Sequence, residues 1–464
     1  MDLKYLFSPL KQGVQLMEEE NFPAAAEFFN DLILKDVRNA DIYIRLGICN
    51  FRMNRLHEAK GALLKSLDHE LSDAQVTSIL ELTNWRMLCS YRFFNGSPSF
   101  SNDGRYLAYI SARRDTNGDG KINGQDNCGI YIVDLQKNQE QYVVADDYYN
   151  SMVVFSPRGD RLAYLSDRTA KAVKATGKHD NPGLYILEMA TGRETQILDT
   201  SYRIKYITFS PDGKKILFSC WRPADQHSGV YSMDFATGSI DTLVPGVYET
   251  TFPSISASGD KLLYSSWRRD TNGDGVVDVR DNSGIYLKNL ATASETVICS
   301  DDYNNTFPVL SPDGMKVLYL SVRRDTNGDG KLNSLDNSGI YLYDLIKRKE
   351  RLVVEDCSFN KFINFSPDGK AAVFLSNWDK CDDAREVHDF FENKGIYMVD
   401  ISSRKVIQIV SDRYYGSRSP VVSPQGNYVA YVSWRKDTNR GLYLAYLDGP
   451  PDDEELRHLI SNNL

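Results

Sequence analysis

A twelve-residue stretch rich in Asp, Asn and Gly occurs three times in the sequence, over residues 115–126, 270–281 and 325–336. Each copy carries an oxygen-bearing side chain at positions 1, 3, 5, 9 and 12, and a glycine at position 6. A hard cation such as Ca²⁺ binds six to eight oxygens on a tightly curled chain, and a glycine at position 6 permits the curl. The same residue types dominate ordinary turns. Three copies that keep the ligand spacing while the intervening residues vary favour a metal site.

The spacing predicts side-chain ligands at five positions of each loop and the backbone carbonyl at position 7. The predicted ligands are Asp115, Asn117, Asp119, Lys121, Asn123, Asp126, Asp270, Asn272, Asp274, Val276, Asp278, Asp281, Asp325, Asn327, Asp329, Lys331, Asn333 and Asp336. The pattern resembles the EF-hand loop and its relatives in dockerins and thrombospondin repeats, which implies about three bound Ca²⁺ ions. Position 12 is Asp rather than Glu, which leaves Mg²⁺ as a competitor. The sequence predicts no helices on either side of these loops.

The overall composition is typical of a globular protein. Of 464 residues, 42% are hydrophobic and 25% charged, enough to bury a core. The 54 basic and 63 acidic residues give a formal charge of −9. A nucleic-acid-binding surface needs a basic patch or stripe, and the sequence shows none, so we expect no nucleic-acid partner.

Cysteine usage and hydropathy bear on the compartment. The seven cysteines are scattered and form no Cys-x-x-Cys pair, which predicts reduced thiols rather than disulfides or a zinc site. The N-terminal residues lack the apolar core of a signal peptide, and no run reaches transmembrane length. These features favour the cytoplasm. Weak calcium loops fit a periplasmic or extracellular site better, and a trimmed chain would look the same, so the compartment stays open.

Residues 1–90 are predicted to be helical, with a 3.6-residue apolar period and few glycines. Two segments repeat at a spacing of 34 residues: Gly13 aligns with Gly47, and Phe29 aligns with Leu63. Together with Tyr43 and the Leu-Gly pair that ends at Gly47, this resembles two tetratricopeptide repeats, followed by a capping helix over about residues 74–86. Such repeats need about three copies for independent stability, so this domain is expected to depend on the rest of the chain.

A different repeat, with period-two alternation, begins near residue 96 and recurs seven times at a mean step of 52 residues. Each unit contains an apolar strand, a Ser-Pro-Asp-Gly-type turn, a strand ending in Ser-x-Arg, a variable loop, a Gly-[Ile/Leu/Val]-Tyr strand and a last strand. The turn glycines are Gly104, Gly159, Gly213, Gly259, Gly314, Gly369 and Gly426. One four-stranded unit cannot bury both faces, so the units must pack together as a β-propeller.

The stretches Phe209–Phe218 and Gly339–Asp344 resemble the TolB-type, WD-like propeller repeat. The fold class predicted is therefore multidomain: an all-α tetratricopeptide-like region over 1–90 and an all-β propeller of seven four-stranded blades over 91–464. TolB itself is usually six-bladed, whereas seven complete units argue for seven blades. Closure is open, because segments 86–90 and 456–461 both have the pattern of an outer-edge strand.

Propeller topology places the three calcium loops on the same face as the loops that enter each blade. Those entry loops carry aromatic and amide side chains that form a candidate partner surface: Asn95, Tyr148, Asn150, Tyr202, Tyr248, Tyr303, Asn305, Asn360 and Tyr415. The tyrosines either pack between blades or bind a partner, and the amides are expected to see solvent. The arginines that recur at the end of the second strand are expected to tie neighbouring blades together through charge-assisted bonds.

No catalytic constellation is evident in the sequence. The histidines are isolated, and neither a Gly-x-Ser-x-Gly elbow nor a phosphate loop occurs. We therefore expect a non-catalytic, calcium-binding scaffold that recognises a protein or peptide, with an undetermined oligomeric state. The alternative is a hydrolase or lyase, or a peptidase-accessory propeller, with its site in the central funnel. The rim positions that can be aligned supply one carboxylate, Glu249, which alone is thin support for an enzyme.

Overall fold

A computed structural model describes residues 7–35, 39–53, 55–69, 71, 75, 79, 85–90, 92–168, 182–328, 330, 332, 335–377, 395–410, 416–434, 440–447 and 460–461. The chain divides into two compact units. One comprises Met1–Met87 with Leu444–Leu464, and the other comprises Leu88–Tyr443. The division into domains 1–90 and 91–464 stays a prediction.

Four helices form the first unit in the described part of the chain: α1 (Phe7–Glu18), α2 (Phe22–Leu34), α3 (Ala40–Arg52) and α4 (Leu56–Ser66). Side-chain caps fix where two of them begin. The Asn21 side chain accepts a hydrogen bond from the Ala24 amide at the start of α2, and the Asn39 side chain accepts one from the Ile42 amide at the start of α3. The predicted capping helix lies mostly outside the described residues, and its last two positions belong to a strand.

Two glycines allow these helices to approach closely. A Cβ on Gly13 would lie 2.6 Å from the Phe29 ring, and one on Gly47 would lie 2.7 Å from the Leu63 side chain. These are the pairs that the 34-residue alignment relates. Helix α1 therefore packs on α2 as α3 packs on α4, each through a glycine that faces a bulky side chain.

The described strands form seven four-stranded antiparallel sheets, which we call blades 1 to 7. Blade 1 contains β2 (Phe94–Phe100), β3 (Tyr106–Ala112), β4 (Gly129–Asp134) and β5 (Gln139–Val144). Blade 2 contains β6 (Asn150–Phe155), β7 (Arg161–Ser166), β8 (Gly183–Glu188) and β9 (Glu194–Leu198). Blade 3 contains β10 (Arg203–Phe209), β11 (Lys215–Trp221), β12 (Gly229–Asp234) and β13 (Ile240–Val244). Blade 4 contains β14 (Thr250–Ile255), β15 (Lys261–Ser266), β16 (Gly284–Asn289) and β17 (Glu295–Cys299). Blade 5 contains β18 (Asn304–Leu310), β19 (Lys316–Val322), β20 (Gly339–Asp344) and β21 (Lys349–Val354). Blade 6 contains β22 (Lys361–Phe365), β23 (Ala371–Ser376), β24 (Gly395–Asp400) and β25 (Val406–Val410).

Blade 7 is built from both ends of the chain. It contains β26 (Gly416–Val422), β27 (Tyr428–Trp434), β28 (Gly441–Tyr446) and, as its outermost strand, β1 (Trp85–Cys89). Of the two segments that could have closed the ring, the N-terminal one does so. The prediction of seven four-stranded blades is confirmed, whereas the tetratricopeptide character of the helices is not shown.

The Ser-Pro-Asp-Gly turn explains why each blade begins the same way. In blade 1 the Ser101 hydroxyl accepts a hydrogen bond from the Tyr106 amide at 2.9 Å and donates one to Asp103 at 2.5 Å. Gly104 then adopts φ +65°, a conformation that costs a glycine little. The turn therefore fixes the register between the first two strands of each blade.

The recurring arginines mainly brace the blade to which they belong. Arg113, at the end of β3, pairs with Glu140 of β5 at 2.7 Å, and its guanidinium lies 3.7 Å from the centre of the Tyr131 ring on β4. The same pairing joins Arg168 to Glu194, Arg268 to Glu295 and Arg323 to Glu350. The charge-assisted pairs therefore lie within single sheets, and the expected ties between blades are limited to weaker contacts, from Arg113 to Cys89 of blade 7 at 3.4 Å and from Arg323 to Cys299 of blade 4 at 4.0 Å.

Burial and hydrogen bonding oppose each other in this brace. Burial raises the pKa of Glu140, but hydrogen bonds from Arg113 and Tyr109 outweigh it, so the pKa lies below its usual value. Glu295 behaves alike, with Arg268 and Tyr264 as donors. The carboxylates of Glu140 and Glu295 are therefore held ionised in their blades, whereas burial raises the pKa of Glu350.

The six cysteines in the described part of the chain are free thiols, and Cys381 lies outside the described residues. Among the helices that the structure describes, none is long and apolar enough to cross a membrane.

Candidate functional site

A buried aspartate at position 12 organises each predicted calcium loop. In the first loop Asp126 is fully buried, and one of its oxygens accepts hydrogen bonds from the backbone amides of Thr116 at 2.7 Å and Asn117 at 3.2 Å. Its other oxygen accepts from the Asn123 amide at 2.8 Å. One carboxylate therefore joins both ends of the loop through hydrogen bonds from backbone amides.

The other predicted ligands curl the first loop through side-chain-to-backbone bonds. The Asp115 carboxylate accepts from the Gly118 amide at 2.7 Å and the Gly120 amide at 2.8 Å. The Asn117 side chain accepts from the Asp119 amide at 2.9 Å. These bonds hold the backbone in a tight curve, in which Gly118 and Gly120 both have positive φ.

The second loop repeats this geometry and also contains an arginine that pairs with predicted ligands. Asp281 is 1% exposed and accepts from the Thr271 amide at 2.7 Å and the Asp278 amide at 2.9 Å. Arg280 pairs with two predicted ligands, Asp278 at 2.7 Å and Asp274 at 3.2 Å. A bound metal ion would compete with this guanidinium for the same oxygens.

The third loop is described only in part. Asp336 is 1% exposed and accepts from the Thr326 amide at 2.8 Å, and Asp325 accepts from the amides of Gly328 and Gly330. Asp329, Lys331 and Asn333 lie outside the described residues. The described part keeps the bonds of the first two loops.

Across the described residues, no three His, Cys, Asp or Glu side chains converge as a metal-binding group. A loop of this type draws part of its ligand set from Asn oxygens and a backbone carbonyl, which such a group does not include. The hydrogen-bonding pattern is compatible with oxygen ligation of a hard cation. The metal assignment stays a prediction.

The amides of the predicted partner surface are buried and do not see solvent. Asn95, Asn150, Asn305 and Asn360 are at most 1% exposed. Each side-chain nitrogen donates to a carbonyl of the preceding blade: Asn95 to Arg440 at 2.7 Å, Asn150 to Cys128 at 2.7 Å, Asn305 to Ser283 at 2.9 Å and Asn360 to Ser338 at 2.5 Å. The expectation of exposed amides is therefore wrong, because these side chains tie neighbouring blades together.

The tyrosines of that surface differ among themselves. Tyr148 is 43% exposed and Tyr248 is 40% exposed, whereas Tyr202 and Tyr303 are half-buried. The Tyr303 ring centre lies 4.8 Å from the Arg323 guanidinium of the blade brace. Tyr415 lies outside the described residues. A partner-binding role for these tyrosines stays a prediction.

The innermost strands of the seven blades form a closed ring, since each contacts the next and β26 contacts β2. Each also contains a bulge just after its first residues. In six of them a non-glycine residue at the bulge has φ between 48° and 53°: Ser97, Met152, Phe252, Phe307, Phe362 and Ser419. A bulge changes the direction in which a side chain points, and it does so here at the same position of successive blades.

Four consecutive blades place aromatic rings at this level, and we call them the aromatic arc: Tyr206, Phe252, Phe307 and Phe362. The ring centres of Tyr206 and Phe252 are 5.3 Å apart, and those of Phe252 and Phe307 are 4.2 Å apart. The centres of Phe307 and Phe362 are 5.1 Å apart. All four residues belong to innermost strands, so the arc runs along the ring that these strands form. Phe362 is 36% exposed, and the other three rings are half-buried.

One residue before the arc position, two adjacent blades carry cations. Lys361 of β22 and Arg418 of β26 occupy this position in blades 6 and 7, and Arg440 directly precedes β28 of blade 7. We call these three residues the basic cluster. Burial, together with the charge of Arg418, lowers the pKa of Lys361 to about 8. Burial and Arg418 also lower the pKa of Arg440 to about 10. In blade 3 the equivalent Lys205 pairs with Glu249 at 2.5 Å.

The arc and the basic cluster were not identified from the sequence. A signal was present, because Phe307 and Phe362 stand two positions after the blade-tying Asn305 and Asn360. Residues two apart in a regular strand point to the same side of the sheet, so the aromatic residue would lie on the same side as the buried amide. The bulge between the two positions interrupts the alternation of side chains, so this rule does not hold here.

Comparison with known proteins agrees with the fold. Residues 83–279 match the family model described as the TolB beta propeller domain, which supports the TolB-type propeller that the repeat predicted. Among curated proteins, none matches the sequence.

Several solved structures share the architecture. An oligogalacturonate lyase in complex with manganese is 15% identical, with a TM-score of 0.56 over 79% of this chain and 93% of that chain. A prolyl endopeptidase is 10% identical, with a TM-score of 0.56 over 86% of this chain and 54% of that chain. The propeller domain of the Trilobed protease from Pyrococcus furiosus is 14% identical, with a TM-score of 0.53 over 77% and 96%. At these identities the likeness shows the fold alone.

These comparisons correct one prediction. The expectation that the chain is not an enzyme is wrong as an inference from its repeats, because proteins with this fold include a lyase and peptidases. A seven-bladed propeller therefore gives no ground for excluding catalysis.

Proposed function

We propose that the chain is a hydrolase or lyase, or the substrate-binding propeller of such an enzyme, and that an oligosaccharide binds in its central channel. The observation that carries this proposal is the aromatic arc. The centres of its four rings lie 4.2–5.3 Å from those of their neighbours, so the rings form a continuous aromatic surface on the innermost strands. The C–H faces of sugar rings pack on such surfaces, while the sugar hydroxyls bond to polar groups around them.

The extent of the structural matches supports a site within the propeller. The alignment covers 93% of the oligogalacturonate lyase but 54% of the prolyl endopeptidase. A lyase-like enzyme therefore needs little beyond the elements that this chain shares with it. The endopeptidase has an additional part of similar size that the alignment does not reach.

A peptidase-accessory propeller is the second candidate, and a peptide would then be its ligand. The exposed rings of Tyr148 and Tyr248 favour it, because exposed tyrosines are common anchors for protein and peptide partners. These tyrosines lie at the blade entries rather than on the arc. The two candidates therefore predict different binding residues.

We also propose that the three loops bind Ca²⁺ as a structural ion, with Mg²⁺ as a competitor. The buried Asp126 and Asp281 pre-order the first two loops, so that binding need not pay the full ordering entropy of a long hairpin. The ions would hold the connections between the second and third strands of blades 1, 4 and 5. The glycine contacts at Gly13 and Gly47 support a further proposal, that α1–α4 form two tetratricopeptide-like repeats.

The test is binding and turnover of an oligosaccharide panel by the full chain. Binding is measured by calorimetry, and turnover is measured by new reducing ends or by the ultraviolet absorbance of an unsaturated product. Phe307→Ala removes the central ring of the arc and should weaken binding about tenfold, given the roughly 1.5 kcal/mol that an aromatic pair contributes. Ile346→Ala is the matched control, an apolar truncation in the same blade at a 72% exposed site. Absence of any sugar binding, or equal binding by both variants, would refute the proposal.

A further inference from the structure

An arginine directly precedes each of the three calcium loops and pairs with the segment that leads to the next blade. In blade 1 the Arg114 guanidinium donates to both carboxylate oxygens of Asp146, with Nε 2.9 Å from Oδ2. In blade 5 Arg324 binds Asp356 in the same way, with Nε 2.8 Å from Oδ2. A bidentate pair of this kind fixes the direction of the contact as well as its distance.

Blade 4 has the same arrangement in a divided form. Arg269 pairs with Asp301 at 3.0 Å and with the neighbouring Asp302 at 2.8 Å. In all three blades the first of these aspartates stands 32 residues after the arginine. We give the name entry segments to the three stretches that contain these aspartates: residues 145–149, 300–303 and 355–360.

Blades without a calcium loop provide a comparison within the same chain. Blades 2 and 3 carry Thr200 and Gly246 where the calcium blades carry the aspartate, and Thr169 and Pro223 where those blades carry the arginine. The equivalent positions of blades 6 and 7 lie outside the described residues. In blades 1 to 5 the pair therefore accompanies the calcium loop, whereas a contact needed only to build a blade would occur in both kinds.

A second bond joins the far end of the loop to the same entry segment. Asn127, which directly follows the buried Asp126, donates from its side-chain nitrogen to the carbonyl of Asp147 at 3.0 Å. Asn282 donates in the same way to the carbonyl of Asp302, at 3.5 Å. The entry segment is therefore attached just before position 1 and just after position 12. A cation bound by positions 1 and 12 would hold these two ends together.

We infer that these contacts couple each calcium loop to its entry segment, so that Ca²⁺ binding fixes the entry segments that carry Tyr148 and Tyr303. This inference rests on the proposed function of the loops and names what their occupancy regulates. The Arg114 side chain is 61% exposed, so holding it on Asp146 costs side-chain entropy. A loop ordered by a cation fixes the backbone of Arg114 and lowers that cost. Such coupling is reciprocal, so the pair also strengthens cation binding.

The consequence concerns the exposed tyrosine of the predicted partner surface. Tyr148, which is 43% exposed, lies two residues after Asp146 in the entry segment of blade 1. A partner that binds Tyr148 would meet an ordered segment only when the first loop is filled. Tyr202 lies between blades 2 and 3, neither of which contains a calcium loop, so its segment should not respond to Ca²⁺.

The first test measures Ca²⁺ binding to the full chain by calorimetry. In Arg114→Gln, one of about three sites should bind about threefold to fivefold more weakly, as expected when a surface ion pair is lost. Arg324→Gln should weaken a second site when the two changes are combined. Charge alone predicts the opposite result, because removing a cation beside a cation site strengthens binding. Arg158→Gln, which removes the same charge from an exposed turn of blade 2, is the control and should leave all sites unchanged.

The second test follows hydrogen exchange, which reports on the entry segment itself. In the unmodified protein, amides of residues 145–149 should exchange about threefold or more slowly with saturating Ca²⁺ than with chelator. In Arg114→Gln that protection should be lost even when the site is filled. Residues 199–202 serve as the reference segment and should exchange alike in both conditions. Melting curves in chelator verify that Arg114→Gln is folded.

The outcomes separate this inference from the proposed calcium binding. If Arg114→Gln leaves the affinity for Ca²⁺ unchanged or raises it, the pair does not couple the loop to the entry segment. Calcium uptake that leaves the exchange of residues 145–149 unaltered in the unmodified protein would also overturn the coupling, while the three metal sites would stand. Absence of Ca²⁺ uptake by the unmodified protein would remove both the metal sites and the coupling.

Discussion

At the scale of single residues, the buried amides tie neighbouring blades together, and the arginines mainly brace the blade to which they belong. A buried Asn side chain has two N–H donors, and leaving them unpaired is costly. Asn305 meets this need by donating to the carbonyls of Ser283 and Ser300. Arg113 makes its charge-assisted bonds to a glutamate of its own sheet, and it contacts the adjacent blade only through the Cys89 sulfur. The chemistry of both residue types was foreseeable, but the partner of each depended on which way a loop turns.

The blade brace leads to a prediction about pH. The pKa of Glu295 lies below its usual value in the folded protein, so its charged form stabilises the fold above the unfolded-state pKa of about 4.5. That contribution is lost as the pH falls through the lower folded-state pKa. Glu295→Gln should therefore lower the melting temperature by about 2 °C at neutral pH, and the difference should vanish in acid below the folded-state pKa.

Melting curves of both proteins between neutral and acidic pH provide the measurement. Glu355→Gln, at an exposed site of blade 5, serves as the control and should follow the unmodified protein throughout. A difference between Glu295→Gln and the unmodified protein that persists unchanged into strong acid would show that the carboxylate charge is not what stabilises the brace.

At the scale of elements, closure of the ring depends on β1. This strand comes from the other end of the chain and pairs with β28, which would otherwise present unpaired backbone groups along the outer edge of blade 7. Leu88→Pro removes a backbone N–H from β1 and should lower the melting temperature by about 5 °C or more. Leu88→Val keeps a strand-forming residue and should change it little. If the two variants melt alike, β1 does not contribute to the stability of the ring.

Sequence patterns predicted the repeating elements and missed their irregularities. Turn glycines such as Gly104 and Gly426 recur because their positive φ is needed at the same point of every blade, so the blades could be counted. Closure could not be decided, since segments 86–90 and 456–461 have equivalent patterns and the choice depends on tertiary pairing. The arc was missed because Phe252 and Phe307 follow a bulge that breaks the strand period on which the prediction relied.

At the scale of the whole molecule, charge links the proposed metal sites to stability. The chain carries a formal charge of −9, and three Ca²⁺ ions would bring it to about −3. Titrating the chelator-stripped protein with Ca²⁺ should show about three sites. Each site should add roughly 2.7 kcal/mol of stability at one hundred times its Kd, so the melting temperature should rise by several degrees.

A single substitution tests whether the loops are responsible. Asp119→Ala removes an exposed position-5 ligand whose carboxylate accepts one backbone bond, from Lys121. The number of sites should fall from about three to about two, while the melting temperature of the metal-free protein stays nearly the same. No uptake at millimolar Ca²⁺ would mean that the three loops are ordinary turns.

The origin of blade 7 also affects how the protein is made. Strand β1 leaves the ribosome first, yet its partner β28 begins at Gly441, 352 residues after Cys89. At translation rates of 5–20 residues per second, β1 waits roughly 20 to 70 s for its partner, while six complete blades emerge and fold. During that interval the nascent chain has an unsatisfied strand at each end of an open ring. Chaperone demand and the risk of strand exchange between neighbouring nascent chains should therefore be greatest late in synthesis, just before the last blade is complete.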